Sequence, residues 1–539
     1  MESWSDINMV INRIPKRAEQ SAEGDLRSTF ADSGVGSALN SVDHQIIYGR
    51  RGTGKTHALR YLSSTLKRND NISIFIDLRT VGSPEGIFDP ESVSSVVRTS
   101  RVLVDVLRHI HDSILEAALD DSCLTGDTMF VDALDEFLSA STSVRVDGHV
   151  ESAQQAGTVT SEGGAAKVAL GGSRAGFEAT GQSSQSSEAT ASLLRKGEEK
   201  FTLNFTDVAR ALRKLASSLS AHHIWILFDE WTSLPREVQP YFAAFLQRCL
   251  LPLDGFTVKI AAIEQQAVFR SQLANGQIIG IEVGADMAAN LNLDDYMVFE
   301  QDEQRSRDFF LNLFHKHLTA GGFDRELSEL SKGQIIPRGF TDTRSFDELV
   351  RAAEGVPRDA INIAGQAARK AGSQKISIPN IREASRQWYQ SDKEKALADI
   401  PGAQLLLSWV IDRVIRDKKA RGFLVNQKDR SRDILLALFE SRVLHIVKRG
   451  YSAQDEPGER YDVYVIDYGA YVDLISTKNA PQGVLPLGSL EGDGYVDVPS
   501  QDLRSLRRAV LDLREFEEQH GKPFKPNYIK EGVFDGNRS

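Results

Sequence analysis

Cysteine is nearly absent from this sequence, in which Cys123 and Cys249 are the only two. Two cysteines cannot form the disulfide framework that stabilises a small secreted domain. No group of Cys and His residues has the spacing of a structural zinc site. The sequence therefore predicts a protein of a reducing compartment, and we expect the cytoplasm.

Long apolar runs and an excess of positive charge are also absent. No apolar stretch approaches the roughly 18 residues of a membrane-spanning helix. The N-terminus, MESWSDINMV, lacks the basic and apolar regions of a signal peptide. The formal net charge of -11 argues against a protein that covers nucleic acid with its whole surface, because phosphate contacts need basic residues. We therefore predict no membrane partner and, at most, a local basic face.

One segment has too few large apolar residues to build a core. Residues 141–192 are rich in Gly, Ser and Ala, and Phe177 is their one aromatic residue. They form either a flexible insertion or an exposed β-hairpin that contacts a partner protein. The second interpretation uses the alternating patterns VRVDGHVE and AAKVAL.

The whole chain has 539 residues, of which 41% are apolar, and is long enough for three or four domains. Apolar strands alternate with amphipathic helices up to Glu300, which predicts an α/β fold. The five predicted strands are HQIIYG, NISIFIDL, HIWILFDE, FTVKIAAIE and YMVFE. The pattern is then helical to about Asp399, mixed α/β from Pro401 to about Ser476, and helical again from Gln501.

The stretch IIYGRRGTGKT contains a phosphate-binding motif, because Gly49, Gly54, Lys55 and Thr56 fit G-x-x-x-x-G-K-[ST]. Small residues let backbone N–H groups surround phosphate oxygens, and the following helix adds its positive end. Lys55 would reach the β- and γ-phosphates, and the Thr56 hydroxyl would bind magnesium. The motif predicts ATP and Mg²⁺ as cofactors. The candidate nucleotide-binding residues of the loop are Gly49, Arg50, Arg51, Gly52, Thr53, Gly54, Lys55 and Thr56.

Two later strand ends carry polar side chains. IWILFDE ends in Asp229, which can hold the metal, and Glu230, which can polarise the attacking water. An acidic pair after a strand is more often a turn or a helix cap, but a phosphate-binding loop in the same sheet favours the catalytic interpretation. Glu230 thus predicts ATP turnover. Glu264 and Gln265 end the next strand, either as γ-phosphate sensors or as solvated residues.

The segment AAEGVPRDA places Gly355 and Pro357 at a helix start and Arg358 in its first turn. With the phosphate-binding loop, the acidic strand end and the following helices, this arrangement resembles the AAA+ ATPases. It is most similar to the replication-initiator clade of origin-recognition-complex and cell-division-cycle ATPases, including bacterial relatives. The resemblance covers roughly Ser41 to Ala371, without the insertion.

The resemblance implies further roles. Arg358 would be a sensor-two arginine that a helical lid supplies to the γ-phosphate. An arginine finger would act in trans, with Arg270 as the first candidate and Arg248 as the second, so a homo-oligomer or a partner ATPase is implied. The sequence departs from the family pattern at sensor one, where Glu264 or Gln265 replaces the usual Asn, Ser or Thr.

The C-terminal segment also fits the resemblance, which implies a winged helix after the lid. Residues 401–450 hold eleven Lys or Arg against five Asp or Glu, a net charge of +6. Duplex DNA is a candidate partner, yet the acidic turn QDEPGE suits a minor groove poorly and winged helices also pack against proteins. The candidate DNA contacts are Arg430, Arg432, Lys448, Arg449 and Arg460.

The predicted fold is therefore α/β: a P-loop AAA+ parallel sheet with a helical lid, followed by a winged-helix-like domain. The predicted domains are the nucleotide-binding domain (1–300, with the insertion 141–192), the lid (301–399), the winged-helix-like domain (400–480) and a helical tail (481–539). The predicted function is an ATPase that uses ATP binding and hydrolysis to control assembly or DNA engagement. One alternative is a nucleotide-controlled protein scaffold or switch in a defence or stress response. A remodeller that threads a polymer is disfavoured, because no aromatic pore-loop signature is present.

Overall fold

The chain divides into two units in a computed structural model. The sheet unit consists of Leu39–Ile47 and Leu62–Leu291, and the lid unit consists of Met1–Ala38, Tyr48–Tyr61 and Asn292–Ser539. The domain boundaries predicted from the sequence stay predictions. The structure describes residues 6–17, 23–32, 34–69, 71–82, 95–119, 127–142, 145–147, 150–151, 194–195, 198–200, 203–219, 222–294, 302–320, 325–398, 400–416, 422–429, 433–452, 458–476 and 509–521.

A five-stranded sheet organises the sheet unit. From one edge to the other its strands are Ala288–Asn292, Gln45–Tyr48, Phe256–Ala262, Ile224–Asp229 and Ile72–Asp77. The last three are parallel neighbours, with Phe228 opposite Ile260 and Asp77 opposite Asp229. Every residue of Ile224–Asp229 is buried, as expected for an interior strand of a sheet covered on both faces. The predicted α/β class is confirmed.

One strand of the sheet was not predicted. It is Ala288–Asn292, whereas the predicted strand YMVFE lies outside the described residues. The sequence AANLN is rich in Ala and Asn, which are uncommon in strands, and it occupies a half-exposed sheet edge. The local pattern therefore gave no strand signal.

Helices cover the sheet, and their apolar spacing explains their orientation. In Phe205–Ser218 the fully buried residues Val208, Ala211, Leu212 and Leu215 follow the i, i+3, i+4, i+7 pattern. This helix packs against Thr128–Thr142, and Asn204 caps it by accepting a hydrogen bond from Thr206 N at 3.0 Å. The other helices of this unit are Ser95–Leu119, Gln239–Cys249 and the short 3-10 turn Trp231–Ser233.

The base of the predicted insertion forms an antiparallel ladder. Arg145–Asp147 pairs with Glu198–Lys200, and Val150–Glu151 pairs with Leu194–Arg195. The strand character of VRVDGHVE is confirmed, but its partners lie C-terminal to residue 192. The segment AAKVAL lies outside the described residues. A separate hairpin joins Arg270–Gln272 to Ile278–Gly280.

A buried lysine fastens the segment that leads into the first strand. Lys259 is fully buried, and its Nζ donates to Ser41 O at 2.7 Å, Asp43 O at 2.9 Å and Gln45 Oε1 at 2.5 Å. Burial lowers the pKa of Lys259 to about 7. Its hydrogen bonds satisfy carbonyl groups just before the strand that carries the phosphate-binding loop.

The lid unit is mainly helical, as predicted. Its helices before residue 400 are Asp6–Arg13, Glu23–Thr29, Gly36–Leu39, Glu303–Ala320, Arg325–Ser328, Lys332–Gly339, Thr343–Ala352, Pro357–Ala371, Ile378–Trp388 and Glu394–Ala398, with a π-helical turn at Tyr389–Lys393. The Lys55–Lys67 helix starts in this unit. Asp6–Arg13 packs on Pro357–Ala371, and Asn8 Nδ2 donates to Gly372 O at 2.9 Å.

The C-terminal segment contains a three-stranded antiparallel sheet in which Arg460–Ile466 lies between Gly422–Asn426 and Leu444–Ser452. Leu444–Ser452 and Arg460–Ile466 form an antiparallel hairpin, and Gly422–Asn426 pairs with the second of them. Helices Ala403–Val410, Asp433–Glu440, Tyr468–Ser476 and Leu513–His520 surround it, with a π-helical turn at Ile411–Arg416 and a 3-10 turn at Gln427–Asp429. The winged-helix assignment stays a prediction.

One apolar core runs from the lid helices into the C-terminal segment. Phe310, Ile363, Tyr389, Leu435 and Tyr468 belong to a single cluster of buried side chains. The two parts therefore share a core within the lid unit. No described helix has the length and apolar character needed to cross a membrane.

We expect Ile226→Ala to destabilise the sheet unit by about 2–4 kcal/mol, because Ile226 is fully buried in an interior strand. Urea unfolding followed by circular dichroism measures the change. Val42→Ala is the control, since Val42 is 64% exposed and should change stability by less than about 0.5 kcal/mol. Equal effects of the two substitutions would contradict this placement of Ile226.

Candidate functional site

The phosphate-binding loop lies between the Gln45–Tyr48 strand and the Lys55–Lys67 helix, as predicted. A Cβ on Gly49 would lie 2.5 Å from Thr53 Oγ1. Gly52 has a φ of 90°, a left-handed backbone that favours glycine. Gly52 is therefore favoured by its backbone conformation, and Gly49 by the close approach of the Thr53 side chain.

Lys55 begins the helix and lies buried inside the loop. Its Nζ donates to Gly49 O at 2.8 Å and to Arg50 O at 3.0 Å, and Thr53 Oγ1 donates to Arg50 O at 2.8 Å. Thr56 follows in the first turn of the helix and is half-buried. A lysine ammonium beside a helix N-terminus is an arrangement suited to binding an anion.

Arg50 directs its side chain away from solvent and into the lid unit. It is 3% exposed, its Nε lies 2.8 Å from Asp294 Oδ1, and its backbone N donates to Asp294 Oδ2 at 3.0 Å. Its Nη1 donates to His445 Nδ1 at 2.5 Å. Arg51 is exposed. A phosphate contact by Arg50 would therefore have to come from its backbone, because these partners occupy its guanidinium group.

Arg358 lies directly against the loop. Pro357 begins the Pro357–Ala371 helix, and the Arg358 backbone N donates to Gly52 O at 3.2 Å. A Cβ on Gly52 would lie 2.9 Å from Arg358 Nε, which is buried and has no hydrogen-bond partner among the described residues. Burial lowers the pKa of Arg358, and the positive charge of Arg442 lowers it further. The structure thus brings together two motifs that lie about 300 residues apart in the sequence.

Asp229 and Glu230 lie at the carboxyl end of an interior strand of the sheet unit. Asp229 is 1% exposed, and its Oδ1 accepts a hydrogen bond from Glu230 N at 3.0 Å. Glu230 has a φ of 55°, a left-handed conformation that costs a non-glycine residue about 1–2 kcal/mol. Ser233 Oγ donates to Glu230 O at 2.7 Å. Strained residues of this kind cluster at functional sites.

Trp231 anchors this strained turn, and sequence reasoning missed its role. Its ring is fully buried and stacks on Phe269 with centroids 4.8 Å apart. Its Nε1 donates to Gln239 Oε1 at 3.2 Å, and Gln239 Oε1 also accepts from Val268 N at 2.7 Å. A Trp directly after an acidic strand end was the available signal, because a buried indole needs a polar partner.

The sensor-one candidates lie on the neighbouring strand. Glu264 and Gln265 are half-buried in the turn after Phe256–Ala262, which is parallel to Ile224–Asp229. The carboxyl ends of parallel neighbours meet at one sheet edge. Within the sheet unit, the carboxyl edge of the sheet therefore carries all four predicted polar residues: Asp229, Glu230, Glu264 and Gln265.

Both arginine-finger candidates are exposed. Arg270 begins the Arg270–Gln272 strand, and its Nη1 lies 3.4 Å from Glu282 Oε2. Arg248 is exposed in the last turn of Gln239–Cys249. The exposed pair with Glu282 contributes little stability, so Arg270 can leave it at small cost.

The basic residues of the C-terminal segment are only partly described. Lys448 and Arg460 are exposed and Arg449 is half-buried, while Arg430 and Arg432 lie outside the described residues. Lys448 Nζ lies 5.8 Å from the centroid of the Tyr451 ring, and Arg460 Nη1 donates to Gly450 O at 3.2 Å. These three residues lie on the hairpin formed by Leu444–Ser452 and Arg460–Ile466.

The fold and the loop define a protein of the α/β class with a phosphate-binding loop and a helical lid. The ORC-CDC6-like family model matches residues 15–83, which contain this loop. The predicted resemblance to the origin-recognition-complex and cell-division-cycle ATPases is thereby confirmed for this segment.

No curated protein matches the chain significantly. Among solved structures, Cdc6p from Pyrobaculum aerophilum aligns with 86% of this chain and 94% of its own, at 12% identity and a TM-score of 0.30.

Gly52→Ala tests the contact between the loop and Arg358. The alanine would have a left-handed backbone, and its Cβ would lie 2.9 Å from Arg358 Nε. We therefore expect a loss of about 2–4 kcal/mol in the free energy of unfolding. Gly450→Ala is the control: its φ is 65° but no atom lies within 4 Å of the new Cβ, so backbone strain of about 1–2 kcal/mol is expected. Urea unfolding of the full chain measures both, and equal losses would argue against the contact.

Proposed function

We propose that the protein is an ATP hydrolase of the AAA+ class that uses ATP binding and hydrolysis to control its assembly or its engagement of DNA. The observation that carries this proposal is the contact between Arg358 and Gly52, with Lys55 buried in the same loop. A lid arginine at a phosphate-binding loop can respond to the presence of a nucleotide.

The residues of the loop fit a nucleotide. Gly49 and Gly52 have no side chains, as is typical of a loop that surrounds phosphate oxygens with backbone N–H groups. Lys55 would contact the β- and γ-phosphates, and Arg358 would face the γ-phosphate. The buried Nε of Arg358 gains a partner if an anion binds there, which favours the charged ligand. The loop residues Gly49, Arg50, Arg51, Gly52, Thr53, Gly54 and Thr56 would complete the site.

Thr56 and Asp229 would hold Mg²⁺, which neutralises negative charge on the phosphates when bound. Glu230 would accept the proton of the attacking water. The strained left-handed backbone of Glu230 supports this role, because strained residues cluster at functional sites. Gln265, on the next parallel strand, would contact the γ-phosphate as the sensor-one residue.

An oligomer would complete the site through an arginine finger. The exposed Arg270 is our first candidate and Arg248 our second, because a finger acting in trans has to lie at the surface. The partner is then a second copy of this chain or a related ATPase. The ladder at the base of the 141–192 insertion supports a further proposal, that this insertion contacts a protein partner.

The C-terminal segment would bind duplex DNA as a winged helix. Lys448, Arg449 and Arg460 lie on one hairpin, and basic residues in this position contact the phosphate backbone. The alternative is a nucleotide-controlled protein scaffold without DNA binding. The half-buried position of Arg449 and the net charge of -11 favour this alternative.

Glu230→Gln tests hydrolysis. We expect ATP binding to be retained and turnover to fall by about 10²–10⁴-fold, because an amide cannot accept the proton. Steady-state phosphate release and binding of a fluorescent ATP analogue measure the two effects, and particle mass with ATP reports assembly. The matched control is Glu136→Gln, because Glu136 is an acid whose side chain is 41% exposed and which pairs with Lys214. Lys55→Ala should abolish ATP binding. An unchanged rate in Glu230→Gln would remove this residue from its proposed role.

Lys448→Glu with Arg449→Glu tests DNA engagement. We expect salt-sensitive binding to a fluorescent duplex in the wild type and a loss of at least about tenfold in the double variant. The control is Arg344→Glu with Lys375→Glu, which makes the same charge change on exposed lid residues. The protein scaffold would be favoured if the wild type does not bind the duplex, or if the control variant reduces duplex binding as much as the double variant does.

A further inference from the structure

The lid unit contains a set of buried charged and polar side chains that the proposed reaction does not use. It connects three segments that are distant in the sequence: the phosphate-binding loop, the helix that begins at Pro357 and the C-terminal segment after residue 400. We call this set the buried charge network. Its members are Arg50, Asp294, Asp359, Lys393, Arg442, His445 and Asp467.

The first connection joins the loop to the C-terminal sheet. Arg50 Nη1 donates to His445 Nδ1 at 2.5 Å, and the Arg50 guanidinium lies 5.1 Å from the centroid of the Phe439 ring. His445 is 1% exposed and its Nε2 donates to Asp467 Oδ2 at 3.0 Å. Because a guanidinium only donates, Nδ1 of His445 must be the accepting nitrogen. His445 therefore holds Arg50 by one ring nitrogen and is itself held by the other.

The neutral form of His445 is the one this geometry needs. Burial and the charge of Arg50 lower its pKa to about 3. A protonated ring would place a second donor against Arg50. The contact is thus a charge-assisted hydrogen bond from the arginine to a neutral ring.

The second connection joins the Arg358 helix to the C-terminal segment. Asp359 is fully buried and follows Arg358 directly. Arg442 Nη1 donates to Asp359 Oδ1, and Arg442 Nη2 donates to Asp392 Oδ2. Lys393 Nζ lies 3.0 Å from Asp359 Oδ2 and 2.5 Å from Asp467 Oδ2, which links the two connections.

The backbone of Arg442 supports a dedicated role. Arg442 has a φ of 61° in the turn between Asp433–Glu440 and Leu444–Ser452, where glycine would avoid the strain. An arginine in this conformation aims its side chain at the residue beside Arg358. The strain is therefore accompanied by a contact that glycine could not make.

We propose that His445 and Arg442 are positioning residues of the nucleotide site: His445 holds the phosphate-binding loop through Arg50, and Arg442 holds the Arg358 helix through Asp359. The inference rests on the proposed nucleotide binding and extends it. The C-terminal segment is, in this view, a part of the nucleotide site of its own chain. Nucleotide binding and the state of the C-terminal segment then influence each other reciprocally.

The loop connection is tested by a double-mutant cycle on the full chain. We expect His445→Phe to weaken binding of a fluorescent ATP analogue by about tenfold, and His445→Gln, which can still accept and donate, to lose less. Arg50→Met should have a similar effect, and the double variant should bind no more weakly than the worse single variant. Independent effects that multiply in the double variant would overturn this connection.

The lid connection is tested by turnover. Arg442→Met should lower kcat by about tenfold with a smaller change in KM, and Arg442→Lys should recover part of it. Added to Arg358→Ala, Arg442→Met should cause no further loss of kcat, because it acts through that residue. A further loss would show that Arg442 does not act through the Arg358 helix.

Tyr468→Phe is the matched control. It removes a buried hydrogen bond from Tyr468 to Glu348, which also joins the lid helices to the C-terminal segment, and neither residue is a member of the buried charge network. We expect lower stability with unchanged nucleotide affinity. If Tyr468→Phe weakens binding as much as His445→Phe does, the effect is general destabilisation and the inference fails.

Hydrogen exchange of the wild-type chain gives a test that needs no variant to fold. Mg²⁺ and ADP should slow amide exchange in Leu444–Ser452, and Leu513–His520 should be unchanged. Unchanged exchange in Leu444–Ser452, with nucleotide bound, would overturn the inference. Lys55→Ala separates the two proposals. If the wild type binds no nucleotide, the proposed function fails. If Lys55→Ala abolishes nucleotide binding but His445→Phe leaves it unchanged, only the inference is refuted.

Discussion

The burial of charged side chains is the constraint on which the structure of the lid unit depends. Arg50, Lys393 and Arg442 are each less than a tenth exposed, and so are the three acids of the buried charge network: Asp294, Asp359 and Asp467. A buried charge without its partner costs about 3–5 kcal/mol, so each residue fixes the position of its neighbours. Three positive and three negative groups also balance, which allows the set to be buried together.

This balance explains why a histidine occupies the junction. The neutral ring of His445 accepts a hydrogen bond from Arg50 and donates one to Asp467, and it adds no charge to the buried charge network. The positive charge of Lys393 lowers the pKa of Asp467, and the positive charges of Lys393 and Arg442 lower the pKa of Asp359. Both carboxylates therefore remain ionised despite burial that alone would raise their pKa.

The sequence was sufficient for features that depend on local patterns. The apolar run IWILFD, the glycine-rich loop and Pro357 at a helix start were all predicted, because period, turn geometry and capping are properties of neighbouring residues. The edge strand Ala288–Asn292 was missed, because pairing at the sheet edge overrides its weak strand propensity. Arg50 was predicted as a phosphate ligand from its place in the motif. Its partner His445 lies 395 residues away, and no local pattern reveals such a contact.

The two arginines near the loop have opposite surroundings, and this difference assigns their roles. Arg50 has Asp294 and His445 on its guanidinium group, so its position is fixed within the protein. Arg358 has a buried Nε with no hydrogen-bond partner among the described residues, and its neighbour Arg442 adds like charge. An anion at the loop would relieve the unfavourable burial of Arg358 but would gain little from Arg50. One arginine at the loop is therefore suited to structure and the other to a ligand, and the C-terminal segment contacts Arg50 directly and the Arg358 helix through Asp359.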